Sequence, residues 1–131
     1  MAITGFHHVA IRPQDFEASL RFYTQGLGLK ERIRWNDGQK NIVLLDTGDG
    51  SYLEIFGNGK PDQPEGIWCH SALRTDDVDD AVKRVVAAGG RMMFPPKNNV
   101  IEGKDERIPT RLAFCRGPDG EIIEFFQNEA T

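Results

Sequence analysis

The chain repeats itself, and the repeat restricts the available folds more than any other property. His8-Val-Ala-Ile-Arg12 followed by Asp15-Phe-Glu-Ala-Ser-Leu20 returns 62 residues later as His70-Ser-Ala-Leu-Arg74 followed by Asp77-Val-Asp-Asp-Ala-Val82. Asp49-Gly50-Ser-Tyr-Leu-Glu54-Ile-Phe56-Gly-Asn58 returns 70 residues later as Asp119-Gly120-Glu-Ile-Ile-Glu124-Phe-Phe126-Gln-Asn128. Each half therefore carries one histidine and one glutamate at matching places. With 131 residues, 39% of them hydrophobic, the halves are too short to be two independent domains. The expectation is a single domain built from modules over residues 1–60 and 67–131, joined by a polar Gly/Pro-rich connector around Gly57 to Gly66.

Within each half the hydrophobic period changes in the same order. Gly5 to Arg12 alternates around β-branched residues and predicts a strand, and Pro13-Gln-Asp15 supplies a stop and a helix N-cap. Phe16, Leu20, Phe22, Tyr23 and Leu27 fall near a period of about 3.6, and Gly26 and Gly28 close that helix without forming a phosphate loop. Leu29 to Trp35, Asn41 to Thr47 and Ser51 to Phe56 predict three more strands, with turns at Asn36-Asp-Gly38 and Gly48-Asp-Gly50. The second copy starts at Trp68. It places Val78, Ala81, Val82, Val85 and Val86 on one helix face, with Asp76 or Asp77 as N-cap and Gly89-Gly90 as stop. Strands at Arg91 to Phe94, Arg111 to Cys115 and Glu121 to Gln127 complete it. The fold class is α+β, with paired βαβββ modules. The offset grows from 62 to 70, so the second half holds eight extra residues, placed in a polar loop from Pro95 to Pro109 that is a candidate lid.

Composition narrows the partners. A net charge of −4 with no Lys/Arg cluster argues against nucleic acid and anionic membranes, and favours a small-molecule ligand. Cys69 and Cys115 lack a CxxC spacing and read as buried free thiols. No apolar run of spanning length and no apolar leader is present, so the expected location is the cytoplasm.

Strand alternation tests whether the repeated residues can share a site. His8, Ala10 and Arg12 share one face of the first strand, while His7, Val9 and Ile11 share the other, which makes His7 the competitor of His8. His70, Ala72 and Arg74 share a face in the second copy. Glu54 shares a face with Tyr52, Phe56 and Asn58, and Glu124 with Ile122, Phe126 and Asn128. A carboxylate on an apolar face is costly to bury, and a cation removes that cost. His8, Glu54, His70 and Glu124 together suit a divalent first-row metal. Arg12 is a candidate for a substrate carboxylate and Asn58 for hydrogen bonds to a ligand. Lys104 and Arg107 are charges of the long loop.

These residues resemble the vicinal oxygen chelate superfamily, in which paired βαβββ modules curl a mixed sheet into a metal-holding cleft. The resemblance runs from the His8 strand through Phe22-Tyr23 and Gly26-Leu-Gly28-Leu to Asp119-Gly120 and Ile123-Glu124. Within it, the chain looks most like glyoxalase I, the lactoylglutathione lyase of the glyoxalase, bleomycin resistance and dioxygenase family. His8, Glu54, His70 and Glu124 fill that family's four ligand positions, and Arg12 and Asn58 match residues that contact its glutathione. Related dioxygenases and fosfomycin-modifying enzymes use three protein ligands, which makes Glu54 the discriminating residue.

The resemblance implies a lyase or isomerase that converts the hemithioacetal of a 2-oxoaldehyde and glutathione to a thioester. A proton leaves the carbon next to oxygen, and a carboxylate returns it to the neighbouring carbon. Glu124 is the implied base, with Glu54 as ligand and second base, and one Ni²⁺, Zn²⁺, Co²⁺, Mn²⁺ or Fe²⁺ per site. It also implies a homodimer with shared sites, His8 and Glu54 of one protomer meeting His70 and Glu124 of its partner. The alternatives are a metal-free bleomycin-type binding protein, whose cleft would use Trp35, Trp68, Phe56 and Phe126, and an extradiol dioxygenase or thiol transferase.

Overall fold

Two runs of strand, helix and three strands give two four-stranded mixed sheets of the same topology. The computed structural model describes residues 6–61, 70–102 and 105–131. The chain divides into two compact units, Met1–Gln63 and Pro64–Thr131. Trp68, Cys69, Lys104 and the end of the connector lie outside the described residues.

The first unit comprises β1 (His8–Ile11), α1 (Phe16–Arg21), β2 (Lys30–Asn36), β3 (Asn41–Asp46) and β4 (Tyr52–Phe56). Its sheet runs β1-β4-β3-β2, with β1 and β4 parallel and the other pairs antiparallel. Asp15 caps α1 as expected, its carboxylate accepting from the Ala18 N–H at 3.0 Å. The helix does not run on regularly to Gly26. From Phe22 to Gly26 it widens into a π turn, where the Leu27 N–H donates to the Phe22 carbonyl at 3.0 Å. The Thr24 hydroxyl also donates to the Leu20 carbonyl at 2.6 Å. Gly28, at φ +82°, then turns the chain into β2, a left-handed conformation that favours glycine.

Alternation gives this sheet two different faces. Val43, Leu45 and Ile55 are fully buried, and Leu20, Phe22 and Tyr23 are almost so. α1 packs on β4, so this face is the core of the unit. Ile42, Leu44 and Glu54 point the other way, paired as Ile42 with Phe56 and Leu44 with Glu54.

The second unit repeats the plan with β5 (Ser71–Arg74), α2 (Val78–Ala87), β6 (Arg91–Glu102), β7 (Arg107–Arg116) and β8 (Ile122–Gln127), in the order β5-β8-β7-β6. Asp77, rather than Asp76, caps α2 by accepting from the Asp80 N–H at 3.0 Å. Val78, Ala81, Val82 and Val85 are buried with Ala113, Cys115, Ile123 and Phe125, whereas Val86, expected on the same face, is 53% exposed because it lies at the edge of the apolar stripe. Arg111 of β7 holds Asp79 of α2 bidentately at 2.7 and 2.9 Å. This hydrogen bonding keeps the Asp79 carboxyl below its usual range and the guanidinium above its own.

The expected loop from Pro95 to Pro109 is instead a long hairpin. β6 and β7 pair through Asn99 with Thr110, Val100 with Pro109, Ile101 with Ile108 and Glu102 with Arg107. Pro95 and Pro96 suggest a break because proline donates no ladder hydrogen bond, but the register shifts between Phe94 and Lys97 and accommodates both in a bulge. The eight extra residues therefore lengthen two strands, and Arg107 is fastened to Glu102 at 2.9 Å.

Cys115 has no accessible surface, and burial pushes its thiol up from the ordinary range. In a Cys69→Ser background, Ellman's reagent at pH 8 should find no reactive thiol in the native protein and one after denaturation. Labelling at the rate of a free peptide thiol would contradict that core.

Candidate active site

Each unit brings its own histidine and glutamate together on the sheet face away from the helix. In the first, Ala10 of β1 is paired with Glu54 of β4, and Glu54 with Leu44 of β3. In the second, Ala72 of β5 is paired with Glu124 of β8, and Glu124 with Phe114 of β7. The equivalent register seats each glutamate in the middle of three strands, with the histidine two residues before the small alanine. His8 Nε2 lies 3.6 Å from Glu54 Oε1, and His70 Nε2 lies 3.3 Å from Glu124 Oε2. The side-chain exposures are 41% and 13% in the first pair and 37% and 12% in the second. Both carboxylates are thus largely out of water while each imidazole reaches solvent.

The donor set fits a divalent metal. Two donor atoms about 2.1 Å from a common ion at right angles stand about 3 Å apart, close to both nitrogen–oxygen separations. Imidazole nitrogen with carboxylate oxygen is also the ligand chemistry such ions take. Among the described residues no three His, Cys, Asp or Glu side chains gather at one point, so the four candidates come together two by two.

His7 takes a place that alternation does not give it. It precedes β1, so its ring is not confined to the opposite face. The ring lies 5.2 Å from that of Tyr52, and its Nδ1 shares a hydrogen bond with His8 Nδ1 at 3.0 Å. With Nδ1 held in this way, Nε2 is the His8 nitrogen that faces Glu54, and the neighbour of a ligand nitrogen is commonly fixed in this manner. The corresponding neighbour of His70 is Phe114, edge-on at 5.4 Å, and Phe94 stands edge-on to Phe114 at 5.9 Å. Phe94, Pro95, Pro96, Lys97, Leu112 and Phe114 line an open groove of about 400 Å³. Of these, Phe94 is 55% exposed, which sequence reasoning missed because it put the end of a strand there.

Arg12 and Asn58 extend the face of the first unit. The Arg12 guanidinium lies 5.1 Å from the centre of the Phe56 ring. Asn58 is exposed in the turn after β4.

Comparison with known proteins agrees with the duplicated architecture. Residues 5–125 match the family model described as the Glyoxalase/Bleomycin resistance protein/Dioxygenase superfamily. The chain belongs to that superfamily. It is 33% identical to the uncharacterized protein YwbC of Bacillus subtilis over 130 residues, covering 92% of this chain and 94% of the relative. It is 31% identical to a probable lactoylglutathione lyase of Vibrio cholerae, covering 93% and 89%. Among solved structures, the trypanothione-dependent glyoxalase I of Leishmania major superposes with a TM-score of 0.74 over 95% of this chain and 87% of that one, at 23% identity, and so shares the fold. The fold is the vicinal oxygen chelate fold that the resemblance implied. No helix among the described residues is long and apolar enough to cross a membrane.

Proposed function

We propose that this member of the superfamily is a metal-dependent lyase or isomerase of the glyoxalase I type. Its substrate carries two vicinal oxygens, as the hemithioacetal of methylglyoxal and glutathione does. The observation that carries the reading is the duplicated pair, His8 with Glu54 and His70 with Glu124, at 3.6 and 3.3 Å in equivalent register. Similarity at 31% to a probable lactoylglutathione lyase supports the same chemistry.

In this reading His8, Glu54, His70 and Glu124 hold one divalent ion, which supplies Lewis-acid stabilisation of negative charge developing on the substrate oxygens. Glu124 removes the proton from the carbon bearing oxygen and delivers it to the neighbouring carbon. Its position out of bulk water suits a base that must retain that proton between the two steps. Glu54 is the second carboxylate, and Arg12 and Asn58 bind the polar end of the thiol. The protein works as a cytoplasmic homodimer in which the first pair of one protomer completes the site with the second pair of its partner.

One observation favours a second reading, a metal-free binding protein for an apolar small molecule. The groove between Phe94 and Phe114 has the aromatic lining such a ligand needs. Metal analysis of protein purified without chelator or His-tag, followed by turnover of methylglyoxal with glutathione, separates the two. About one divalent ion per chain with thioester formation is expected, since four donors are a full protein set for one ion. Protein that is metal-free and inactive after Ni²⁺ or Zn²⁺ is restored rejects the lyase.

A further inference from the structure

His7 and Tyr52 give the first unit a device that the second does not repeat. The residue 62 positions after His7 is Cys69, and the one 70 positions after Tyr52 is Ile122. Neither ring therefore has a counterpart at the offsets that relate the two ligand pairs. The neighbour of His70 is instead Phe114, edge-on at 5.4 Å, a ring that holds an imidazole by packing and has no nitrogen lone pair to offer it.

His7 is anchored twice on β4. Its carbonyl accepts from the Tyr52 N–H at 2.8 Å, a main-chain bond just ahead of β1. Its ring lies 5.2 Å from the Tyr52 ring, with 37° between the two planes. Tyr52 is half-buried, is the strand partner of His8 and shares a face with Glu54. His7 is thereby held beside the ligand face although it stands before the strand. From there its Nδ1 meets His8 Nδ1 at 3.0 Å, the two rings being nearly perpendicular at 86°.

Only one proton can sit between two imidazole nitrogens. A His8 that presents its Nε2 lone pair to a metal beside Glu54 carries its proton on Nδ1, so His8 Nδ1 donates and His7 Nδ1 accepts. We propose that His7, seated on Tyr52, is a positioning residue for His8: it fixes the tautomer and the ring orientation in which Nε2 can serve as a ligand. This role presupposes the metal site of the reading above and adds to it a residue outside the four ligands. Both histidines are open to water, which can partly replace the bond. The effect on metal affinity therefore belongs at the low end for a hydrogen-bond partner of a ligand histidine, about tenfold.

The test uses Zn²⁺-loaded protein carrying isotopically labelled histidine. NMR should show scalar coupling between the Nδ1 nitrogens of His7 and His8 across the N–H···N bond, and competition with a chromophoric chelator gives the Zn²⁺ affinity. His7→Phe keeps a ring against Tyr52 and removes the acceptor, so its Kd for Zn²⁺ should rise about tenfold. His7→Asn puts an acceptor oxygen back at the δ position and should recover most of that affinity, which a residue acting only by packing would not predict. Wild-type Zn²⁺ binding without that coupling, with unchanged affinity in His7→Phe, or with no recovery in His7→Asn would overturn the positioning role and leave the four-ligand site standing. Wild-type protein that takes up no Zn²⁺ would overturn both.

Discussion

Glu124→Gln is expected to lower kcat/KM for the methylglyoxal–glutathione hemithioacetal by about 10³-fold, within the range for loss of a positioned general base. Glutamine has nearly the same shape and can occupy the same place between Ala72 and Phe114, but it can neither hold the travelling proton nor give a metal an anionic oxygen. Glu124 is only 9% exposed, so few waters are available to take over the proton transfer. The loss should therefore appear in kcat at saturating metal as well as in metal content at limiting metal, measured by steady-state kinetics and elemental analysis. Glu54→Gln, the matched change in the other unit, should also lose most of its metal and activity. Turnover that survives in Glu54→Gln would instead place the chain with superfamily members that need three protein ligands, and turnover near wild type in Glu124→Gln would remove Glu124 as the base.

The duplicated pair was legible in the sequence because it depends on two things that sequence records directly, residue type and strand parity. His8 and Glu54 lie 46 residues from each other, yet alternation on each strand and the parallel pairing of β1 with β4 bring them to the same face. The same logic placed Asp15 and four of the five residues of the expected α2 stripe, Val86 being exposed. It failed where local chemistry pointed away from the tertiary result. Pro95 and Pro96 deny two ladder hydrogen bonds, and Lys97-Asn-Asn has no apolar alternation, so nothing local announced a hairpin whose pairing resumes at Lys97 with Leu112. The π turn after Arg21 leaves the apolar spacing nearly unchanged. His7 was assigned to the wrong face because parity applies within a strand, and the strand begins at His8.

Ile55→Ala should destabilise the protein by about 2–5 kcal/mol, the cost of truncating a fully buried aliphatic side chain and leaving a cavity. Ile55 has no exposed surface and is flanked in the sheet by Ile11 on β1 and Val43 on β3, with α1 packed over β4. Its neighbour Glu54 faces the opposite way, and so the two adjacent residues should separate stability from function. In urea unfolding, Ile55→Ala should move the midpoint strongly while the folded fraction, held at low temperature, still binds metal. Glu54→Gln should shift the midpoint of metal-free protein little and lose the metal. A cost below about 1 kcal/mol for Ile55→Ala would mean that the helix does not close this face as a core. The assignment of Glu54 to a separate functional face would then lose its basis, because both conclusions come from one alternation along β4.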